Sequence, residues 1–440
     1  MQPYSPERRT ALVLCGTGAH GAYHAGVLRA LQEAGVKIDI MAGQGIGAGA
    51  AALAAIDGGA RLWDSSGIWR SERATTLYDW KWTVRVAGWL LLLAALALLL
   101  PLAYVIAAQT PLLPLWARVA VLVAAVAIIV AGTCVAIDAW RAPVKRRADG
   151  GWWWRILGAP LDASGAINLF ADTISQLIPG TAQGKSPRSV AGRRYAEVLA
   201  DSLGQPGFRE LMMVATDLDS RRDVVAALLR DPYRREFLAP RLDRERKSEV
   251  LDLAGAGRDL ALDIAAAGLT PPVVCDPQLV TFAADSYWRG ETHRLCDRPG
   301  AIARLLEELA AAGVSQAVIV SAVAPSPAPH RLRSAPLDVR QRLGDFLAAA
   351  ESASLRDAME MARLRFDSIY LICPAHNPVG AFDFAGAYDE ASDRRQDLPE
   401  LLERAYEDAY RQFIEPVVGA SGEHLARARS EPGALDGLEH

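Results

Sequence analysis

The sequence predicts an α/β fold with a mainly parallel central sheet, interrupted by a two-helix transmembrane hairpin. Three observations carry that expectation. The apolar run "ALVLC" (11–15) enters the glycine turn "GTGAHG", then a helix-periodic stretch with Tyr23, Val27, Leu28 and Leu31 on one face and Gly35 as its stop. A second run, "KIDIMAG", passes through another glycine turn into the small-residue stretch 48–56, so strand, turn and helix occur twice in succession, as at the start of a parallel sheet. Two charge-free apolar runs follow, of 23 residues (86–108) and 19 residues (119–137).

Each run is long enough to cross a hydrocarbon core of ~30 Å at about 1.5 Å per residue. Only "QTPLLPLWAR" separates them. Arg70, Arg73, Lys81 and Arg85 precede the pair and Arg141, Lys145, Arg146 and Arg147 follow it, whereas the connection carries only Arg118. The positive-inside bias then puts both ends, and the soluble remainder, on the cytoplasmic side of a bacterial-type inner (plasma) membrane. Trp80, Trp82, Trp89, Trp140 and the triplet Trp152, Trp153 and Trp154 suit interfacial belts. The expected organisation is 1–80 as the first part of the fold with both glycine turns, 81–157 as hairpin and juxtamembrane segments, 158–418 as the remainder, and 419–440 as a flexible tail. In the remainder, strands are expected at 210–216, 279–283, 316–323 and 368–373, and helices near 194–203, 258–267, 301–312 and 339–363. A last helix begins with Asp397 as N-cap and Pro399 near N1, and Leu401, Leu402, Ala405, Ala409 and Phe413 mark its packed face.

Composition narrows the function classes. With 47 basic against 51 acidic residues and a net charge of -4, no surplus of cations exists to neutralise phosphates, so nucleic acid is excluded as the main partner. The five cysteines (Cys15, Cys134, Cys275, Cys296, Cys373) stand singly without CxxC spacing and read as reduced thiols. In a chain with 51% hydrophobic residues, a large core is assured.

The turn with Gly16, Gly18 and Gly21 points backbone N–H groups at one spot beside a helix N-terminus, a nest for an anion. Such a nest cradles a dinucleotide pyrophosphate or stabilises an acyl-transfer oxyanion. A dinucleotide fold needs an acid at the C-terminal end of the second strand. Here that end reads "MAGQG", and Asp39 lies near the strand's start, which makes a nucleotide-binding membrane protein the weakest reading. A second tight turn into a helix is instead the geometry of a nucleophile elbow, GxSxG. The run is Gly43, Gln44, Gly45, Ile46, Gly47, with glycine where the nucleophile belongs. Asp57 and Asp149, each before paired glycines, read as turn residues.

"CGTGAHGAYHAGVLRALQEAG" followed by "GQGIGA" resembles the patatin-like phospholipases, whose pattern is "GGGxxG", a helix, and "GTSxGA". "VATDLDS", "GLTPPVV", "VIVSAV" and "ICPAHNPVGAFDF" extend the resemblance to about residue 416. It implies a three-layer patatin-like fold, an oxyanion loop at Gly16, Thr17, Gly18 and Gly21, an elbow framed by Gly43 and Gly47, and a serine and aspartate dyad without histidine. The serine position is Gly45. The aspartate, which belongs to a "DGG" or "DGA" motif, matches Asp285 in "FAADSYWRG", although Ser286 and Tyr287 replace the glycines; its other reading is a loop-capping residue. Ser286 and Cys15 are conceivable displaced nucleophiles, but neither sits on an elbow, and Cys15 ends a buried strand. His20 and His24 stand four apart without a third ligand, so no metal and no cofactor is expected. Three functions stay open: an impaired membrane-anchored pseudo-hydrolase that binds lipid or acyl groups or acts as a scaffold; an active lipid acyl hydrolase with an unrecognised nucleophile, or with Gly45 introduced into a serine parent; and the nucleotide binder. The expected partners are membrane lipids or acyl chains. Small residues four apart (Ala120 and Ala124; Ala127 and Ala131) serve the hairpin itself or bring a membrane partner or a second copy.

Overall fold

In the computed structural model, which describes residues 4–108, 114–141, 158–178, 187–240, 246–284, 286, 288–324, 339–389 and 392–420, the first strand is buried at every position. This strand, β1 (Thr10–Gly16), leads through the glycine turn into helix α1 (Gly21–Glu33); β2 (Ile40–Gly45) runs straight into α2 (Ile46–Ala55). The chain divides into two compact units: Met1–Leu77 with Ser164–Pro272 and Pro277–His440, and Tyr78–Ala163 with Val273–Asp276.

The second unit holds α3 (Trp82–Ala108) and α4 (Leu115–Arg141). Both are long and apolar enough to cross a membrane, with spans of 26 and 23 residues and mean hydropathies of 2.7 and 2.8. The hairpin packs through small residues: Ala94 meets Ala124 and Ala127, and Ala117 and Ala131 are buried as well. Methyl-sized side chains let the two backbones approach closely, while Leu91, Leu99, Leu122 and Ile129 point outward. Three of the four small residues noted above are thus spent on the hairpin contact, and Ala120 is half-buried. Trp80, Trp82 and Trp89 are exposed; the side chain of Trp140, the triplet 152–154 and the expected tail from 421 on lie outside the described residues.

The first unit carries the sheet. After the hairpin come β3 (Glu210–Asp217), β4 (Arg222–Leu228), β5 (Ser248–Asp252), α5 (Ala261–Gly268), β6 (Gln278–Thr281), β7 (Thr292–Cys296), α6 (Ala301–Ala311), β8 (Gln316–Ser321), α7 (Val339–Ala362), β9 (Ser368–Ile372) and α8 (Leu398–Ala409). The strand order is β9-β8-β1-β2-β3-β4-β5, with β7 pairing β3 and β6 pairing β7. From β9 to β3 every pairing is parallel, in register Leu12 to Met41 on one side and Leu12 to Val318 on the other; β4, β6 and β7 add antiparallel pairs. Ala11, Val13 and Cys15 share a core with Ile302, Leu305 and Leu309 of α6 and Leu355 and Ala358 of α7. On the opposite face, α2 lies so close to β1 that a Cβ on Gly47 would come within 2.0 Å of the Leu14 carbonyl oxygen. Helices on both faces of a mostly parallel sheet make the three layers of an α/β fold.

The strands expected from continuous apolar runs are present within a few residues. The structure adds β4, β5 and β7, which the reading by apolar runs passed over because charges interrupt them: Arg222 of β4 pairs Glu249 of β5 at 2.7 Å, and Arg294 of β7 pairs Asp219 at 2.7 Å. The Asp397 side chain caps α8 by accepting the Glu400 N–H at 2.9 Å, as expected of that residue.

The hairpin contact yields a prediction. Ala124→Leu overpacks the interface and lowers the thermal midpoint of the full chain in detergent micelles, at a cost of about 1–3 kcal/mol. Ala125→Leu, on the exposed side of the same helix, leaves that midpoint in place.

Candidate active site

The site forms where β1 and β2 end side by side, because their parallel register brings Gly16 opposite Gly45. Gly45 adopts φ 64° and ψ −136°, a conformation a side chain makes costly, and α2 begins at the next residue. The backbone is therefore an elbow aimed as a nucleophile turn is aimed. A Cβ placed on Gly45 would sit 2.1 Å from the Gly16 carbonyl oxygen and 3.1 Å from Asp297 Oδ2. The first distance is far below any real Cβ contact, so the carbonyl of the neighbouring strand fills the space that the first side-chain atom needs.

The second distance identifies an acid that sequence reasoning missed. Asp297 follows β7 directly and is buried; its backbone N–H donates to the Thr270 carbonyl at 3.0 Å, inside the "GLTPPVV" segment. Its Oδ1 accepts from Gln44 Nε2 and, at 2.7 Å, from the Arg298 N–H, while Oδ2 has no hydrogen-bond partner. Burial pushes the carboxyl up to about 7, the Gln44 hydrogen bond opposes the shift, and the charge of Glu351 reinforces it. Asp285 lies outside the described residues. The signal for Asp297 was faint: Arg298 and Pro299 stand where the motif has glycines.

The loop from Gly16 to Gly21 is equally packed. Thr17 is buried and its hydroxyl donates to Glu351 Oε1 of α7. Gly18 opens a short 3-10 turn whose Ala19 N–H donates to the Ala381 carbonyl at 2.8 Å, so "ICPAHNPVGAFDF" buttresses the loop. His20, 2% exposed, holds Nδ1 3.4 Å from Glu351 Oε2. Gly21 starts α1, and Gly43 and Gly47 flank the elbow in β2 and α2. His24 Nε2 lies 3.0 Å from the Cys15 carbonyl oxygen; burial lowers its pKa to about 4, which leaves the imidazole neutral at physiological pH. Among the described residues no cluster of three or more His, Cys, Asp or Glu is arranged to hold a metal ion.

The other candidates take ordinary structural roles. Burial drives the Cys15 thiol far above its usual range, so it is not a thiolate at neutral pH. Ser286 donates to the Ala283 carbonyl at 2.5 Å within a turn. Asp57 sits at φ 57° in the turn after α2, and Asp149 is outside the described residues. Asp39 accepts the Thr10 N–H at 2.9 Å, at the end of the sheet opposite the glycine turns, where no nucleotide bound at the loop would meet it.

The patatin-like phospholipase family model matches residues 12–327. Neuropathy target esterase sws of Drosophila persimilis is 40% identical over 83 residues, and that of Drosophila melanogaster 39%. The stretch shared with each covers 18% of this chain and 5% of the relative. Among solved structures, VipD from Legionella pneumophila aligns over 94% of this chain and 67% of its own at 14% identity, with a TM-score of 0.31. A family model spanning most of the chain settles its membership: the chain belongs to the patatin-like phospholipase family.

Gly45→Ala separates the two costs at the elbow. The positive φ alone costs a side chain about 1–3 kcal/mol, and Gly35, also at φ 64°, has nothing within 4 Å of its Cβ position. Denaturant midpoints in detergent should fall further for Gly45→Ala than for Gly35→Ala, the difference reporting the collision with the Gly16 carbonyl.

Proposed function

We propose that this is a membrane-anchored patatin-like protein whose hydrolytic centre is kept as a fold element and no longer turns over esters. The observation that carries the reading is the Gly16 carbonyl in the place of a Cβ on Gly45. Acyl transfer by this family needs an attacking oxygen one bond beyond that Cβ, activated by a neighbouring base. Here the base position is filled by Asp297, but no side chain stands there to lose a proton. Removal of the serine alone, in the subtilisin example, costs on the order of 10^6 in turnover.

The role left to the centre is to bind an acyl chain or lipid, or to scaffold a partner, from a protein held at the membrane by α3 and α4. The basic residues flanking the hairpin favour a plasma membrane of bacterial type with the first unit on the cytoplasmic side. One feature favours a second reading, an active acyl hydrolase: an acid remains 3.1 Å from the nucleophile's Cβ position. The esterase named in the Drosophila relatives is consistent with that alternative. The close approach of Gly16 weighs against it, because a serine at 45 would have to displace backbone rather than a side chain.

Full-length protein in lipid nanodiscs, given p-nitrophenyl butyrate and labelled phosphatidylcholine, should show turnover no higher than empty nanodiscs. Gly45→Ser should not raise it, while a fluorescent fatty acid should bind saturably. Turnover by the unmodified protein that Asp297→Ala abolishes would establish the hydrolase reading instead.

A further inference from the structure

The root of the hairpin is a small sheet assembled from segments far apart in sequence. Asp79–Trp80 pairs antiparallel with Leu161–Asp162, and Cys275 lies against Leu161 in a parallel bridge. The Leu161 N–H donates to the Val274 carbonyl at 3.0 Å, the Lys81 N–H donates to the Pro160 carbonyl at 3.0 Å, and Lys81 Nζ meets Asp276 Oδ2 at 2.6 Å. Val274 and Cys275 are buried. Residues 273–276 are thus fixed at the start of α3, whose first residue is Trp82.

Val273 is doubly out of place in water. Its side chain is 78% exposed, and its φ of 70° is one that a β-branched residue adopts only at a cost. The other non-glycine residues at positive φ among the described residues are Asp57, Arg221, Arg289 and Asp393, all polar and exposed, as turn residues are. Pro271 and Pro272 stiffen the approach to Val273, while the hydrogen bond at Val274 and the ion pair at Asp276 hold the exit, so the side chain is kept outward. The neighbouring surface has the character of a lipid interface. Trp80 is exposed on the small sheet, and Trp82, Arg85 and Trp89 stand exposed on one face of α3, three and four residues apart, where the charge-free run begins.

We propose that residues 273–276 make a second membrane contact, remote in sequence from the hairpin, in which Val273 enters the headgroup layer of the bilayer at the level of Trp80. The inference rests on the reading of α3 and α4 as membrane spans. The surface is continuous with those spans of 26 and 23 residues, and its chemistry fits phospholipid: aromatic rings for the ester layer, a guanidinium for phosphate, and a valine that finds in lipid the apolar surroundings water does not offer. The strained φ is borne to present that side chain. In sequence only the two prolines separate Val273 from Thr270, whose carbonyl accepts the Asp297 N–H at 3.0 Å, so one short segment both holds the acid of the elbow and touches the membrane.

A fluorescent amino acid incorporated in place of Val273 in the full chain, in nanodiscs of phosphatidylcholine and phosphatidylglycerol, reads the depth directly. A nitroxide on the lipid headgroup should quench it more than one at the end of the acyl chain, and iodide in the buffer should quench it less than it quenches the free amino acid, placing the position about 5–10 Å into the lipid surface. The same amino acid at Leu99, within the apolar run of α3, should show the opposite preference, for the nitroxide at the chain end. If iodide but neither nitroxide quenches position 273 while position 99 stays in lipid, the contact is overturned and the spanning reading stands. Quenching of position 273 by none of the three also overturns it, because another protein surface then covers Val273. A position 99 open to iodide overturns the spanning reading and the contact with it. Should the substituted chain not fold, hydroxyl-radical footprinting of the unmodified protein in the same nanodiscs decides: Leu364, 89% exposed, should be oxidised and Val273 spared, and equal modification of the two, corrected for intrinsic reactivity, overturns the proposal.

Discussion

The arrangement depends on β1 having parallel partners on both of its edges. Its register with β2 and with β8 leaves almost no freedom in where its C-terminal end can fall, and full burial prevents it from sliding. Because β1 lies where the strand order reverses, the loops leaving β1 and β2 open at the same edge of the sheet, the usual place for a site in a doubly wound fold. The glycine loop and the elbow are placed by that strand, α7 packs on its face, and the acid after β7 reaches the elbow through the pairing of β7 with β3. Its apolar alternation on one side, Ala11, Val13 and Cys15, also anchors the helical layer from which Glu351 descends.

A buried centre of this kind sets polar groups against packing. Asp297, Glu351, His20 and Thr17 are all withdrawn from solvent, and an unpaired buried oxygen costs about 1–3 kcal/mol. Such a cost is tolerated where the groups satisfy one another or act together. The pairs Arg246 with Glu308 and Arg9 with Glu210, elsewhere in the same unit, show the contrast: there each buried carboxylate meets a guanidinium and structure alone accounts for them. Among the described residues Glu351 is paired with no Arg or Lys, and its neighbour is the His20 imidazole.

Much of the fold was legible in the sequence because its parallel strands are continuous apolar runs and its glycines mark turns. The elbow was legible from spacing alone, as Gly43, Gln44, Gly45, Ile46 and Gly47 must turn sharply between a strand and a small-residue helix. The antiparallel strands were not, since an ion pair such as Arg222 with Glu249 reads as a solvated loop until a partner strand is known. Asp297 escaped notice for a related reason: the backbone geometry of its turn is supplied by Arg298 and Pro299 instead of the glycines that would have flagged it. Glu351 could not be found at all by local pattern. Its partner Thr17 is 334 positions away, and nothing in a helix such as "GDFLAAAESASLRDAM" distinguishes a carboxylate that turns inward from those that stay wet.

The glycine at 45 also sets what a side chain there would have to overcome. In an active elbow the nucleophile is held at an unfavourable φ, and the protein bears that strain for the sake of reactivity. Glycine carries no such strain, and here the Gly16 carbonyl of the adjoining strand lies 2.1 Å from the place a Cβ would take. A serine at this position would have to bear the strain and displace the strand at the same time. Backbone conformation and packing thus both select glycine here: the elbow is locked twice, and any side chain at 45 must answer to the strand beside it as well as to its own φ.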